Sequence, residues 1–338
     1  MKLTWPRLHR RRRTFISIVA VTFFLLTISV YINYTQAQHD VQLQYRKAFE
    51  QIALAQLDSL HSNNLNLVSQ FYADSVISIE AVAKDPVLAQ KILTPGTELD
   101  QYAATARSMT HTFGSLSLLN PKGIVLSTSN DDPTAASVVG KDLSGRAYIQ
   151  ELLTTKKTVT TPAFKTIRGI YAVVFATPIL DANNTVIGII LAGNNLQSLH
   201  TKLSAISDPS PFIEVHSVVV DDSGNLVLSE AEPKLSDAPI NLKGKERMIT
   251  DLLTKPGTYT YQEHTDLYGE SFVKGTSLPV AHVEVISYYP KAQFESKIDD
   301  LKDQLAYSHL WVALRDIFGL LIAYVFIALI LERHEKLD

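Results

Sequence analysis

SLSLLNPKGIVLST, Ser115 to Thr128, reads as a strand, a tight turn and a second strand. Ser115 to Leu119 and Ile124 to Thr128 are β-type runs, and Asn120-Pro121-Lys122-Gly123 between them holds the residues that turns require. About a hundred residues later the shape returns in HSVVVDDSGNLVLS: His216 to Val220, Asp221-Asp222-Ser223-Gly224, then Asn225 to Ser229. Glycine aligns with glycine, where the turn needs a positive φ. The sequel of each copy matches too. After the first come a helical stretch, Ser144–Leu153, and strands over Val159–Phe164, Tyr171–Leu180 and Val186–Ala192. After the second come a helical stretch, Lys243–Leu253, and strands over Thr258–Glu263, Ser271–Thr276 and His282–Tyr289. This weak repeat predicts two similar α+β modules in series, jointed at Ser207 to Pro211, where two prolines fall.

Upstream, Gln36 to about Ala83 contains neither Pro nor Gly, and its apolar residues recur at helical spacing. Ala53, Leu57, Leu60, Asn64, Leu67 and Phe71 step by four and three, a heptad stripe. Asn64 within it is a polar insertion of the kind that fixes register between paired helices. The stripe has two possible partners, a second copy of the chain in a parallel homodimer and the chain's own module, and both can hold, with the lower part pairing between chains and the upper part covering a sheet. Asp85-Pro86 and Pro95-Gly96 then punctuate the chain before another helical stretch up to Met109.

The two ends are greasier than the middle. Phe15 to Tyr34 is nearly all apolar and long enough for the roughly 30 Å of bilayer hydrocarbon. Before it stand Lys2, Arg7, Arg10, Arg11, Arg12 and Arg13 with no acid, which holds the N-terminus in the cytoplasm. A cleaved export signal is the competing reading, but its apolar region is normally shorter, about 7–15 residues. At the other end Ile317 to Leu331 is an unbroken apolar run, extended upstream by Leu310 to Leu314 across Arg315 and Asp316. It is expected to be a second membrane span, with Trp311 in the interfacial belt and Arg315 offset by its neighbour. A buried core helix is the alternative. Glu332 to Asp338 would be a short cytoplasmic tail.

Charge and composition exclude much. Of 31 Lys+Arg, nine lie at the two ends, leaving 22, and of 34 Asp+Glu four do, leaving 30, so the middle carries a net −8. That disfavours nucleic acid as a partner. Cysteine is absent, which removes disulfides, thiolate metal sites and cysteine nucleophiles. The ten histidines are scattered without metal-ligand spacing, and no nucleotide-binding loop or nucleophile elbow is present. No cofactor and no enzymatic activity are expected.

Three stretches carry a resemblance to a known family. One is Val125-Leu126-Ser127-Thr128-Ser129-Asn130 leading to Val139-Gly140-Lys141-Asp142-Leu143-Ser144-Gly145-Arg146-Ala147-Tyr148-Ile149. Another is Phe175-Ala176-Thr177-Pro178-Ile179-Leu180-Asp181 with Val186-Ile187-Gly188-Ile189-Ile190, and the third is Val220-Asp221-Asp222-Ser223-Gly224. In this order, between two membrane helices, they resemble the double Cache sensor domain of bacterial chemoreceptors, sensor histidine kinases and diguanylate cyclases. The resemblance implies a long N-terminal helix with two tandem PAS-like modules, the membrane-distal one binding a small-molecule ligand. It divides the chain into a basic N-terminus (1–14), a first span (15–35), stalk and sensor helices (36–110), a distal module (111–206), a proximal module (207–300), a helix entering the second span (301–331) and a tail (332–338).

Arg146 and Tyr148 match the family's Arg-x-Tyr pair, which in small-acid-sensing members touches the ligand carboxylate. Tyr171, Ser129 and Asn195 are softer pocket candidates. The chain departs from the amino-acid-sensing pattern, because Ile149 replaces the second aromatic residue and Gly193-Asn194-Asn195 holds no acid. The implied function is a sensor for a small carboxylate that signals across the membrane through a separate kinase, cyclase or chemotaxis protein, since the chain stops soon after the second apolar run. Two rivals stand beside it: a tethered solute-binding or scaffold protein serving a transporter or envelope partner, and the sensor part of a diguanylate cyclase, histidine kinase or chemoreceptor that lost its effector. For Arg146 the competing reading is a surface arginine paired with Asp142.

Overall fold

The computed structural model describes residues 5–335 except 111–112, 131–137, 167–170, 195–198, 202, 204–213, 230–240, 245–246 and 267–268. The expected joint, Ser207 to Pro211, lies outside the described residues. Two compact units divide the chain, one of residues 53–292 and one of residues 1–52 with 293–338.

The larger unit takes in the C-terminal part of helix α1 (Trp5–Ala83), then α2 (Pro86–Lys91) and α3 (Thr97–Thr110). Its first module continues with β1 (Phe113–Leu119), β2 (Val125–Asn130), α4 (Ala147–Thr155), β3 (Val159–Thr160), β4 (Phe164–Lys165), β5 (Tyr171–Ala172), β6 (Val174–Leu180) and β7 (Val186–Asn194). The second module holds β8 (His216–Asp221), β9 (Leu226–Ser229), α5 (Arg247–Thr254), β10 (Thr258–Asp266), β11 (Gly269–Leu278) and β12 (Val283–Pro290). The two five-stranded sheets have the same spatial order, β2-β1-β7-β6-β3 and β9-β8-β12-β11-β10. The sequence repeat is thus a repeat of topology.

Identical turn chemistry fixes both hairpins. Asn120 Oδ1 accepts from the N–H groups of Lys122 and Ile124 at 2.9 and 3.0 Å. Asp221 Oδ1 accepts from Ser223 and Asn225, both at 2.9 Å. Gly123 and Gly224 follow at φ 85° and 79°, a region closed to most side chains. Each glycine carbonyl then accepts from the returning chain, from Leu143 N–H at 2.9 Å and Leu242 N–H at 2.7 Å.

Several elements differ in extent from the sequence reading. The strand expected over Val159–Phe164 is two short strands, because Pro162 between them has no N–H to donate. The helix expected from Ser144 begins at Ala147. Ser144 N–H is taken by Asp142 Oδ1 at 2.8 Å, and Arg146 is extended at φ −78°, ψ 132°.

Four of the six stripe residues pack within their own chain, and Leu60 and Leu67 are half-buried. Ala53, Leu57, Asn64 and Phe71 are buried within the larger unit, so they are not open to a partner helix. Towards the end of α1, Phe71, Tyr72 and Ile79 join a core with Phe113, Phe175 and Ile190 of the first module and Val219, Val283 and Val285 of the second. Earlier on the same face the contact is polar. Asn64 Nδ2 donates to Ser217 Oγ at 2.6 Å, and Ser217 and Ser287 share a hydrogen bond at 3.0 Å. His61 meets Ser287 Oγ at 3.2 Å and Thr276 Oγ1 at 2.9 Å. Asn64 therefore sets the seating of α1 on the second module's sheet rather than on a second helix. Burial, helped by the nearby Lys274 cation, pushes His61 down to about 4, so it is neutral there at physiological pH.

The opposite face of the second sheet holds a buried acid. Leu119 pairs with Ile189 in the first sheet, and Val220 with Glu284 in the second. Both Leu119 and Val220 stand four residues before the turn glycine, so Glu284 occupies the place of the fully buried Ile189. Glu284 is 2% exposed, and its Oε2 has no hydrogen-bond partner. Burial, then the charges of Asp222 and Asp221, raise it to about 8.

In the smaller unit α1 runs beside helix α6 (Lys291–Glu335), with Phe23 against Tyr324 at 5.9 Å and Phe49 against Phe294 at 6.0 Å between ring centroids. Phe24 and Leu25 on one helix, and Phe318 and Phe326 on the other, are exposed. Arg46 pairs with Glu295, and Arg315 with Asp316 at 3.0 Å. Among the described residues one helix, α1, contains a stretch long and apolar enough to cross a membrane.

Glu284 makes stability depend on pH. The folded state keeps a proton that the unfolded chain releases near the ordinary 4.5, so this group's contribution weakens as pH rises from about 4.5 to about 8. The slope is about 1.4 kcal/mol per unit at most. Glu284→Gln keeps the shape and removes the titration. Denaturant melts from pH 5 to 9 should show the variant gaining on the parent as pH rises, whereas a constant difference would place the proton elsewhere.

Candidate functional site

The cavity of interest lies in the first module, between its sheet and α4, with a free volume of about 90 Å³. Strand alternation builds it. Leu116 and Leu118 of β1 point to the α1 side, which turns Ser115 and Ser117 to the α4 side, where both line the cavity with Leu191 and Gly193 of β7. Arg146 and Tyr148 enter from the start of α4, and Phe164 and Thr166 from β4 and the residue after it.

Arg146 is the N-cap residue of α4, yet its side chain makes no capping bond. Its guanidinium carbon stands 5.9 Å from the centroid of Phe164, a cation–π contact. Among the described residues it has no hydrogen bond or ion pair, and Asp142 instead accepts from Ser144. The alternative of an Arg146–Asp142 pair is therefore not what the geometry holds. Tyr148 packs on the same Phe164 ring at 5.7 Å. Burial raises the Tyr148 phenol and Arg146 partly opposes this, so the hydroxyl remains a donor. Among the described residues no Asp or Glu lines the cavity.

The five expected site residues thus fall apart into groups. Arg146 and Tyr148 meet at the cavity. Ser129 is on β2 beside Leu116, and its Oγ accepts from Arg107 Nε of α3 at 3.0 Å, so it is not among the lining groups. Tyr171 is placed by its backbone, opposite Lys165, while its side chain and all of Asn195 lie outside the described residues. Sequence reasoning did not single out Ser115, Ser117, Phe164 or Gly193. The signal for the serines was present: Ser-Leu-Ser-Leu in a strand covered on both faces puts small polar residues against a second layer. Gly193 was readable as a close approach, since a Cβ there would stand 2.5 Å from Ser115 Oγ.

A larger groove of about 570 Å³ lies at the junction of the two modules. Its charges are mixed and partly matched internally. Glu80 accepts from Thr158 at 2.8 Å and pairs with Lys84 at 3.6 Å, and Glu151 lines the groove beside Lys156 and Lys157. Among the described residues no group of acids and histidines is arranged to hold a metal ion.

The Gly193 contact is testable without any ligand. Gly193→Ala should cost about 1–3 kcal/mol by overpacking against Ser115, and Ser115→Ala should restore most of it in the double variant, as read by denaturant melts. Additive losses in the double variant would show that the two positions do not share the space.

Comparison with known proteins places this geometry. A Cache-domain family model, dCache_1, matches residues 34–290. No curated protein matches the chain in sequence. Among solved structures, an extracellular ligand-binding receptor from Desulfohalobium retbaense aligns at TM-score 0.55 and 16% identity over 69% of this chain, which spans 40% of that receptor's length. The extracellular domain of a histidine kinase designated rpHK1S-Z16 aligns at TM-score 0.56 and 10% identity, covering 70% of this chain and 95% of that one. The ligand-binding domain of the Campylobacter jejuni chemoreceptor Tlp3, solved with L-norvaline, aligns at 0.52 and 15%, covering 72% and 92%. Identities this low speak for the fold alone, but the family match covers most of the chain. The chain belongs to the double Cache family of sensor domains.

Proposed function

We propose that the protein is a membrane-anchored sensor whose extracytoplasmic unit captures a small carboxylate in the first-module cavity and passes the change to the bilayer through α1 and α6. The observation that carries the reading is Arg146. A guanidinium cannot shed its proton, and this one sits over Phe164 beside a cavity that no carboxylate lines among the described residues. A ligand carboxylate would accept its two parallel N–H groups, with Tyr148 as a further donor. The likeness to receptor and kinase sensor domains, one of them solved with a small ligand, supports capture of a metabolite.

Two membrane spans, one on each helix of the smaller unit, are supported by the apolar side chains exposed on both and by the contact of Phe23 with Tyr324. The arginine-rich start would then be cytoplasmic and residues 53–292 extracytoplasmic. For transmission, ligand binding would favour one of two arrangements of the first module, and the core shared by α1 and both sheets would carry the bias to the second. Any parallel homodimer within the larger unit would use a surface of α1 such as that of the exposed Ile77, because Ala53, Leu57, Asn64 and Phe71 are buried.

Thermal melts of the full chain in lipid nanodiscs test this reading. Carboxylic acids should raise Tm in a concentration-dependent way and the matching primary amides should not. Arg146→Met should abolish the rise, while Ser129→Ala, which touches Arg107 and not the cavity, should retain it. If no acid stabilises the protein, or if Arg146→Met responds like the parent, the site is not here.

A further inference from the structure

The ion pair on α6 points to a contact inside the bilayer. We infer that two copies of the chain pair there through α6, with Arg315 of each copy facing Asp316 of the other, an inference that rests on the reading of α1 and α6 as two membrane spans.

Phe23 stands against Tyr324 and Phe49 against Phe294, so the helices run antiparallel and facing residue numbers total 347 at one contact and 343 at the other. Trp311 is then level with residues 32–36 of α1, where Tyr34 closes the first apolar run, and both aromatic side chains suit the interfacial belt. Arg315 is level with residues 28–32. At about 1.5 Å per residue it lies roughly 3–9 Å beyond Tyr34, on the hydrocarbon side.

Arg315 Nε and Nη2 both donate to the same oxygen, Asp316 Oδ1, at 3.1 and 3.0 Å. Neighbours on a helix stand about 100° apart, so the pair does not close as a fork on both oxygens. Among the described residues Asp316 Oδ2 and the other Arg315 N–H groups have no partner. The two side chains are 74% and 48% exposed, so α1 does not cover them. Arginine is long enough to snorkel to the headgroups from this depth, but aspartate is not, and a carboxylate in hydrocarbon needs its oxygens paired.

A second copy supplies the missing donor. A two-fold axis along the bilayer normal keeps equivalent residues at one depth, and adjacent residues differ in height by only about 1.5 Å. Each Asp316 Oδ2 can therefore accept from the other copy's Arg315 while Oδ1 keeps its own, which closes a neutral ring of charge-assisted bonds. Gly319, one turn further on Asp316's side of the helix, has nothing within 4 Å of where a Cβ would stand, so a second helix can come close.

The chain has no native cysteine, which suits crosslinking of the full protein in phosphatidylcholine vesicles. Val312 and Leu321 are both exposed; Val312 lies one turn before Asp316 on its side, and Leu321 about 180° round the helix from Val312. Val312→Cys should give a disulfide-linked dimer on oxidation and Leu321→Cys should not. Asp316→Asn should weaken pairing at least about tenfold, read by energy transfer between labelled copies diluted in lipid, and Arg315→Asp combined with Asp316→Arg should restore it. Leu321→Cys should also resist a water-soluble maleimide. If it reacts freely, α6 is outside the bilayer and the two-span reading fails, taking this inference with it. If it is protected but the chain is monomeric, Asp316→Asn pairs like the parent, the exchanged pair stays weak, or Leu321→Cys crosslinks as well as Val312→Cys, the spans stand and the α6 interface is wrong.

Discussion

Both sheets of the sensing unit lean on one helix, and that shared burial is the constraint from which the rest of the arrangement follows. Phe71, Tyr72 and Ile79 of α1 lie in a core with residues of the first and second modules alike, so the modules do not own separate hydrophobic centres on that side. Burial of large side chains contributes roughly 1.5–3 kcal/mol each, enough that neither module can shift on α1 without disturbing its neighbour. The polar layer of His61, Asn64, Ser217 and Ser287 adds geometry more than strength. Hydrogen bonds have directions, and a helix rotated on the sheet would leave these buried groups unsatisfied.

With one face of each sheet committed to α1, the other face is where the modules diverge. In the first module it holds a cavity lined by Arg146, which has no counter-charge among the described residues. In the second the corresponding space is packed by Met248, Ile249 and Leu252 against Tyr288 and Ile286, and the polar feature is Glu284, buried without a counter-charge. The same topology thus carries a cavity beside α4 in the first module and an apolar cluster beside α5 in the second.

Much of this was legible in the residues. The Asn120 and Asp221 turns declared themselves, because a side-chain acceptor three residues before a positive-φ glycine has few other uses. The α1 helix was legible from its unbroken run without Pro or Gly, and Arg146 and Tyr148, singled out by the family's pattern, line one cavity. The partner of the heptad stripe was not legible, since a helix covering a sheet and a helix in a coiled coil present similar periodicities. Ser129 was paired with the wrong neighbourhood for a related reason. Which face a strand residue takes depends on register, and Ser129 lies on the α3 side with Ser127 while Thr128 bonds Ser117 on the other. Glu284 could have been noticed as an acid inside Val283-Glu284-Val285-Ile286, a strand otherwise apolar, but its burial required the second layer to be seen.

The central claim is that Arg146, which has no counter-charge among the described residues, takes one from a ligand carboxylate. A crystal structure of the full chain grown with a small carboxylic acid that raises its Tm tests it most directly. The account predicts density for a carboxylate within about 3 Å of the Arg146 guanidinium nitrogens, with the aliphatic end toward Val174 and Leu191. Density for the acid in the junction groove near Lys84 and Lys157, with Arg146 turned to a protein carboxylate, would contradict it.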